Sequence, residues 1–135
     1  MSKPMQVLLV EDSPADITLT EEALKDTGVQ TSLSVVMDGE QAIDYLHQRG
    51  NYSQAVRPDV ILLDLNMPKK NGHEVLADMK DHPELEDIPV VVLTVSQAEE
   101  DIVKALNLRM NYYLSKPVHS QKLLPILHAI DSLWG

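Results

Sequence analysis

The sequence predicts a doubly wound α/β fold, a parallel sheet of five strands with five helices distributed over its two faces. Three observations lead there. Short apolar runs rich in branched side chains, Val7 to Val10, Ile61 to Leu63 and Val90 to Leu93, lie between turn signals and are too short for helices. They have the pattern of strands buried on both faces. Each strand-like segment is followed by one whose apolar residues recur at helical spacing, and strand and helix alternate along the whole chain. Right-handed crossovers between parallel strands then place helices on both sides of the sheet.

With 135 residues the chain is expected to form a single domain spanning 1–135, with no segment left for an output domain after Gly135. Hydrophobic residues at 44% and charged residues at 24% are ordinary for a globular chain, and no linker or low-complexity stretch interrupts them. The apolar runs fall far short of the roughly 20 residues of a membrane span, and no signal-peptide core is present. A cytoplasmic location is therefore the default. The absence of cysteine agrees with a reducing compartment and excludes disulfides and thiolate zinc sites. Lys plus Arg number 11 against 21 Asp plus Glu, and the net charge of −10 repels a nucleic-acid backbone. The adjacent Lys69 and Lys70 read as solvated loop charges.

Taken in order, Gln6 to Val10 is the first strand and ends at Glu11-Asp12. Ser13 can cap a helix that has Pro14 in its first position, with Asp16 completing a capping box, Ile17, Thr20 and Leu24 facing inward, and Thr27-Gly28 as the stop. Thr31 to Met37 is the second strand, and Asp38-Gly39 turns into a helix carrying Ala42, Tyr45 and Leu46. After a polar loop over Arg49 to Ser53, the third strand runs from about Asp59 to Asp64 and leads into a loop punctuated by Pro68 and Gly72. Val75, Leu76 and Met79 mark a short helix expected to stop at His82-Pro83. Ile88 to Val95 is the fourth strand, followed by a helix after Ser96 whose first turns hold Glu99, Glu100 and Asp101, as suits the helix dipole. Asn111 to Ser115 makes the fifth strand, ending in Lys116-Pro117, and Ser120 opens a last helix with Leu123, Leu127, Ile130 and Trp134 on one stripe. Pro125 lies far enough into that helix that its first turn is expected to be irregular or to start late.

Sites in such sheets form at the carboxyl ends of the strands. That rule selects Glu11 and Asp12, Asp64, Thr94 and Lys116, each at a different strand end. Any one alone has a plainer reading: Asp64 as a helix cap or surface acid, Glu11-Asp12 as loop solvation, Tyr113 as strand packing. Together they are harder to explain away. Three converging carboxylates repel unless a cation is present. Mg²⁺ suits them, being hard, oxygen-seeking and able to keep positions open for phosphate oxygens. With Lys116 as a fixed positive charge and Thr94 as a hydroxyl donor, the set describes a site that stabilises a phosphoryl group on Asp64. An aspartate nucleophile forming an acyl phosphate is established chemistry.

Glu11-Asp12, Asp64, Thr94 and Lys116-Pro117, in this order on alternating strand ends, resemble a response-regulator receiver domain of two-component signalling, and the resemblance covers essentially the whole chain. It implies the flavodoxin-like strand order 2-1-3-4-5 and a phosphorylation-dependent signalling protein rather than an enzyme, with only weak self-phosphotransfer and autodephosphorylation. It implies that Asp64 accepts phosphate from a histidine kinase, that Asp12, Asp64 and the backbone carbonyl of Asn66 hold Mg²⁺ with Glu11 assisting through water, and that Lys116 and Thr94 grip the phosphoryl oxygens. Tyr113 is the implied aromatic switch, and a cis Lys116-Pro117 bond is implied as well. The wording Val10-Glu11-Asp12-Ser13-Pro14-Ala15-Asp16, the run from Leu63 to Gly72, Ser96 to Ile102 and the late Trp134 are similar to the stand-alone response regulators paired with cyanobacterial phytochromes. One departure is Val95, where receivers usually carry a small residue; it is expected to narrow access to Asp64 and to slow phosphate entry or hydrolysis.

Two rival classes share part of this pattern. A haloacid-dehalogenase-type phosphatase needs a second acid two residues after its nucleophile, where this chain has Asn66. A flavodoxin-like FMN carrier needs a phosphate loop after the first strand, where Glu11-Asp12 would repel phosphate. His47, His73, His82, His119 and His128 show no zinc spacing and read as surface or packing residues. Leu133 and Trp134 read as capping the core, while Val103 and Leu108 leave apolar surface on the fourth helix. A homodimer through the fourth helix, fifth strand and fifth helix is the expectation that surface raises, with phosphorylation reshaping the same surface for a partner.

Overall fold

The structure is a computed structural model and describes residues 3–65, 71–94 and 112–134. Its strands are β1 (Met5–Val10), β2 (Thr31–Val36), β3 (Val60–Asp64), β4 (Val90–Thr94) and β5 (Tyr112–Ser115), all parallel and ordered β2-β1-β3-β4-β5. The described helices are α1 (Pro14–Asp26), α2 (Gly39–Leu46), α3 (Gly72–Lys80), α4 (Pro83–Glu86) and α5 (Ser120–Trp134), with a short 3₁₀ turn at Gly50–Tyr52. Asn66, Val95 and the helix expected after Ser96, including Val103 and Leu108, lie outside the described residues. Among the described residues, no helix is long and apolar enough to cross a membrane.

Because side chains alternate along a strand, the continuous apolar runs divide between two cores. Leu8, Val10, Ile61, Leu63, Val90 and Val92 pack with Ala42, Ile43, Leu46, Val75, Leu76 and Met79 on one face. Val7, Leu9, Val60, Leu62, Val91 and Leu93 pack with Ala23, Leu24, Leu123, Leu127 and Ile130 on the other. Both faces of the central strands are sealed, as their sequence implies.

Helix boundaries follow local chemistry. Ser13 Oγ accepts from the Asp16 amide, and Gly28, at φ +76°, takes the left-handed turn that ends α1. Asp38 caps α2 by accepting from the Gln41 amide at 2.7 Å. The reciprocal capping box occurs at α3, between Asn71 and Glu74. One expectation is met with an addition, and one needs correction. The chain does stop α3 before Pro83, but Pro83 then occupies the first position of a further turn, α4, because its fixed φ and missing N–H are harmless there. The last helix does not start late: it begins at Ser120, with the His119 carbonyl accepting from Lys122 and Leu123, and runs on through Pro125. Pro125 and Gln121 are both exposed, so the carbonyl that loses its helical donor faces water, while fully buried Leu123, Leu127 and Ile130 hold the helix to the sheet.

An acidic pocket at the carboxyl ends of the strands

Strand register brings the acids together. Val10 pairs with Leu63, so Asp64, the last residue of β3, comes level with Glu11 just beyond the end of β1. Carboxylate oxygens of Glu11, Asp12 and Asp64 all lie within 4.8 Å of one another. Glu11 is fully buried and Asp64 is 5% exposed, whereas Asp12 is the accessible member. Glu11 Oε2 accepts from the amides of Asp12 and Ser13 at 3.1 and 3.3 Å, which fixes the loop that carries Asp12.

Lys116, which follows β5, inserts its ammonium into this cluster. Nζ lies 2.7 Å from Glu11 Oε1, 3.2 Å from Asp16 Oδ2 and 3.3 Å from Asp64 Oδ2. Burial opposes its charge, but the hydrogen bond to Glu11, the charges of Asp64 and Glu11 and the contact with Asp16 outweigh that and raise its pKa, so it stays cationic. Burial raises the pKa of Glu11; Lys116 pulls it down and neighbouring Asp64 pushes it up, with a net upward shift. The donor set of three carboxylates, with Asp12 as its accessible member, fits a hard divalent cation.

Of the other expected residues, Thr94 ends β4 in register with Ser115, and the Lys116-Pro117 bond is cis. Tyr113 is half-buried on β5, opposite Val92, and packs against the core on the α3 side. Two roles escaped the sequence reading. Asp16 does not close a capping box: the Ser13 amide already donates to Glu11, and the Asp16 carboxylate reaches Lys116, a hundred residues away. Gly72, which opens α3, sits against the backbone immediately after the acid, its amide donating to the Leu65 carbonyl at 3.1 Å. A Gly after an Asn in a loop was visible, but nothing local indicates which strand it abuts.

A parallel sheet whose strand ends gather a buried acid, two further carboxylates and a lysine defines a phosphoryl-accepting signalling module, and the family match agrees. Residues 7–128 match the response regulator receiver domain, so the chain belongs to that family and is a phosphoacceptor of two-component signalling. It is 45% identical over 131 residues to the response regulator Rcp1 of Synechocystis sp. (strain ATCC 27184 / PCC 6803 / Kazusa), covering 97% of this chain and 89% of the relative. Among solved structures it resembles the phosphorylated cyanobacterial phytochrome response regulator RcpA, at 45% identity and TM-score 0.80 over 98% of this chain and 94% of that one. It also resembles the Mn²⁺-bound form of Rcp1, at 45% identity and TM-score 0.77 over 97% and 94%. Receiver domains bind divalent metal and take phosphate from histidine kinases. The family match lends no support to the phosphatase or the FMN carrier.

Proposed function

We propose that Asp64 is the phosphoacceptor of this receiver and that Lys116 is its fixed counter-charge. The observation that carries the reading is the Lys116 ammonium held 3.3 Å from Asp64 Oδ2 beside Glu11 and Asp12. In transfer from a kinase phosphohistidine, an Asp64 oxygen forms the new P–O bond as the P–N bond breaks, and the imidazole leaves with the electron pair and takes up a proton. Asp12, Asp64 and the backbone carbonyl of Asn66 would hold Mg²⁺, with Glu11 acting through water. Bound Mg²⁺ supplies positive charge toward the phosphoryl oxygens. Lys116 needs little rearrangement to neutralise the same oxygens, and Thr94 would contribute its hydroxyl. Tyr113 would report the change by turning inward, shifting the equilibrium of the surface around β5, α5 and the helix after Ser96. Val95 would restrict access to Asp64.

The kinase partner in this reading is a cytoplasmic phytochrome, a pairing supported by the likeness to RcpA. A homodimer through the same surface remains part of the proposal. So does weak self-phosphorylation from small donors, followed by autodephosphorylation. The test is incubation with Mg²⁺ and acetyl phosphate followed by intact mass. Wild type is expected to gain one phosphoryl adduct and Asp64→Asn none; an equal adduct on both proteins would overturn the assignment.

Asp16 adds a quantitative expectation. It is a third of the way to full exposure, so its contact with Lys116 is screened, and Asp16→Ala should change stability by less than about 1 kcal/mol. It also adds negative charge where a phosphodonor anion arrives. Asp16→Ala is therefore expected to speed labelling by acetyl phosphate a few-fold, with the gain shrinking at high salt. Rates compared at two ionic strengths check this.

A further inference from the structure

A second cluster of metal-binding side chains lies away from the acidic pocket. In a parallel α/β unit the helices run back against the strands, so the carboxyl ends of α2 and α3 lie at the opposite edge of the sheet. There His47, which follows α2, Asp78 on α3 and His82, which follows α3, bring ligand atoms within 4.8 Å of one another. His47 Nε2 is 2.7 Å from Asp78 Oδ2, His82 Nδ1 is 3.6 Å from Asp78 Oδ1, and the two rings meet edge to face with centroids 4.5 Å apart.

We propose that His47, Asp78 and His82 form a binding site for a borderline divalent metal ion of the Zn²⁺ class. The plainer reading is an interhelical ion pair, and three features favour a metal site over it. First, Asp78 and His82 are spaced i, i+4, which places two ligands on one side of a helix end, and His47 supplies the third from a different element. Second, His82 Nδ1 lies 2.7 Å from the Asp78 carbonyl oxygen. With the proton on Nδ1, this contact is a hydrogen bond of the kind that orients a ligating histidine, and Nε2 is then the nitrogen left for a metal ion. Third, Asp81 and Glu84 add negative charge around His82, which attracts a cation to imidazoles that would otherwise compete for a single carboxylate.

At His47 and Asp78 the fit requires only a small movement. Two ligand atoms about 2.0–2.1 Å from a tetrahedral zinc ion stand roughly 3.3 Å apart. His47 Nε2 and Asp78 Oδ2 would therefore open by about half an ångström as the ion replaces the shared proton. His82, with its side chain 37% exposed at a helix end, can pivot about its Nδ1 contact with the Asp78 carbonyl to bring Nε2 toward the ion. Two imidazoles and one carboxylate leave a fourth position for water and discriminate against Mg²⁺, which prefers an all-oxygen shell. A bound ion would tie α2 to the end of α3.

The test is calorimetric titration of the whole chain with Zn²⁺ in excess Mg²⁺, for wild type, His47→Gln, His82→Gln and Asp64→Asn. One equivalent is expected to bind wild type and Asp64→Asn alike, and each histidine variant should bind at least tenfold more weakly. In wild type, the imidazole NMR signals of His47 and His82 should shift on adding Zn²⁺ while those of His73, His119 and His128 stay put, a readout that needs no substitution. The proposal is overturned if no Zn²⁺ binds over Mg²⁺, if both histidine variants keep wild-type affinity, or if binding disappears in Asp64→Asn. Failure here would leave the role of Asp64 untouched, because the phosphoryl adduct reads the other edge of the sheet.

Discussion

Lys116→Met is expected to lower the stability of the metal-free protein by about 3–5 kcal/mol at neutral pH, as is usual when one partner of a buried ion pair is removed. The methionine keeps most of the aliphatic stem, so the loss comes from charge. Glu11 is fully buried, and with the ammonium 2.7 Å from its Oε1 removed, its carboxylate would face Asp64 with no counter-charge. The pH dependence separates this from lost packing. The folded-state pKa of Glu11 already lies above the ordinary 4.5, through burial, and Lys116 is what restrains it. A carboxyl whose folded pKa is raised favours the fold below its unfolded pKa and gives up that contribution as pH rises through the folded value. Without Lys116 the folded value climbs further, so the deficit of Lys116→Met should be largest near pH 7 and shrink toward pH 4.5. Urea unfolding in EDTA at several pH values measures it. An equal deficit at every pH would assign the loss to packing. The same variant should label slowly with acetyl phosphate even when Mg²⁺ is saturating, since it lacks the fixed charge on the phosphoryl oxygens.

The parts of the molecule legible in the sequence are those where one local signal has one structural meaning. Val60 to Asp64 is a continuous apolar run because both faces of β3 are buried, and an acid at its tip stands out against that background. Glu11 and Lys116 were legible for the same reason, each being a charge that immediately follows a strand. The parts that were not legible depend on residues far apart in the chain. Asp16 has the spacing of a cap, and only the fold shows its carboxylate turned to Lys116. His47 and Asp78 are 31 residues apart, a separation that belongs to no zinc spacing, yet the packing of α2 beside α3 closes it to 2.7 Å. Pro125 carries a strong helix-breaking signal that loses to the burial of Leu123, Leu127 and Ile130.

Gly72→Ala tests the placement of the acceptor rather than its charge. A Cβ at this position would lie 2.7 Å from the Asp64 carbonyl oxygen, 2.7 Å from Leu65 Cα and 3.0 Å from Leu65 Cδ2. Two of the three are backbone atoms, so the strain cannot be relieved by a rotamer change, and α3 must move away from the end of β3. Overpacking of this kind costs about 1–3 kcal/mol, against which the better helix propensity of alanine returns less than about 1 kcal/mol. The net effect is destabilising. Labelling should suffer more than stability, because displacing a reacting group by about 1 Å can cost on the order of a hundredfold in rate. Gly28→Ala is the control: Gly28 also needs its glycine, for a φ of +76°, but an added Cβ there meets nothing within 4 Å. Both variants are expected to unfold at lower urea concentration, and only Gly72→Ala should label more slowly while still folded. If the two lose labelling to the same extent, the contact between Gly72 and the Asp64–Leu65 backbone does not set the position of the acceptor.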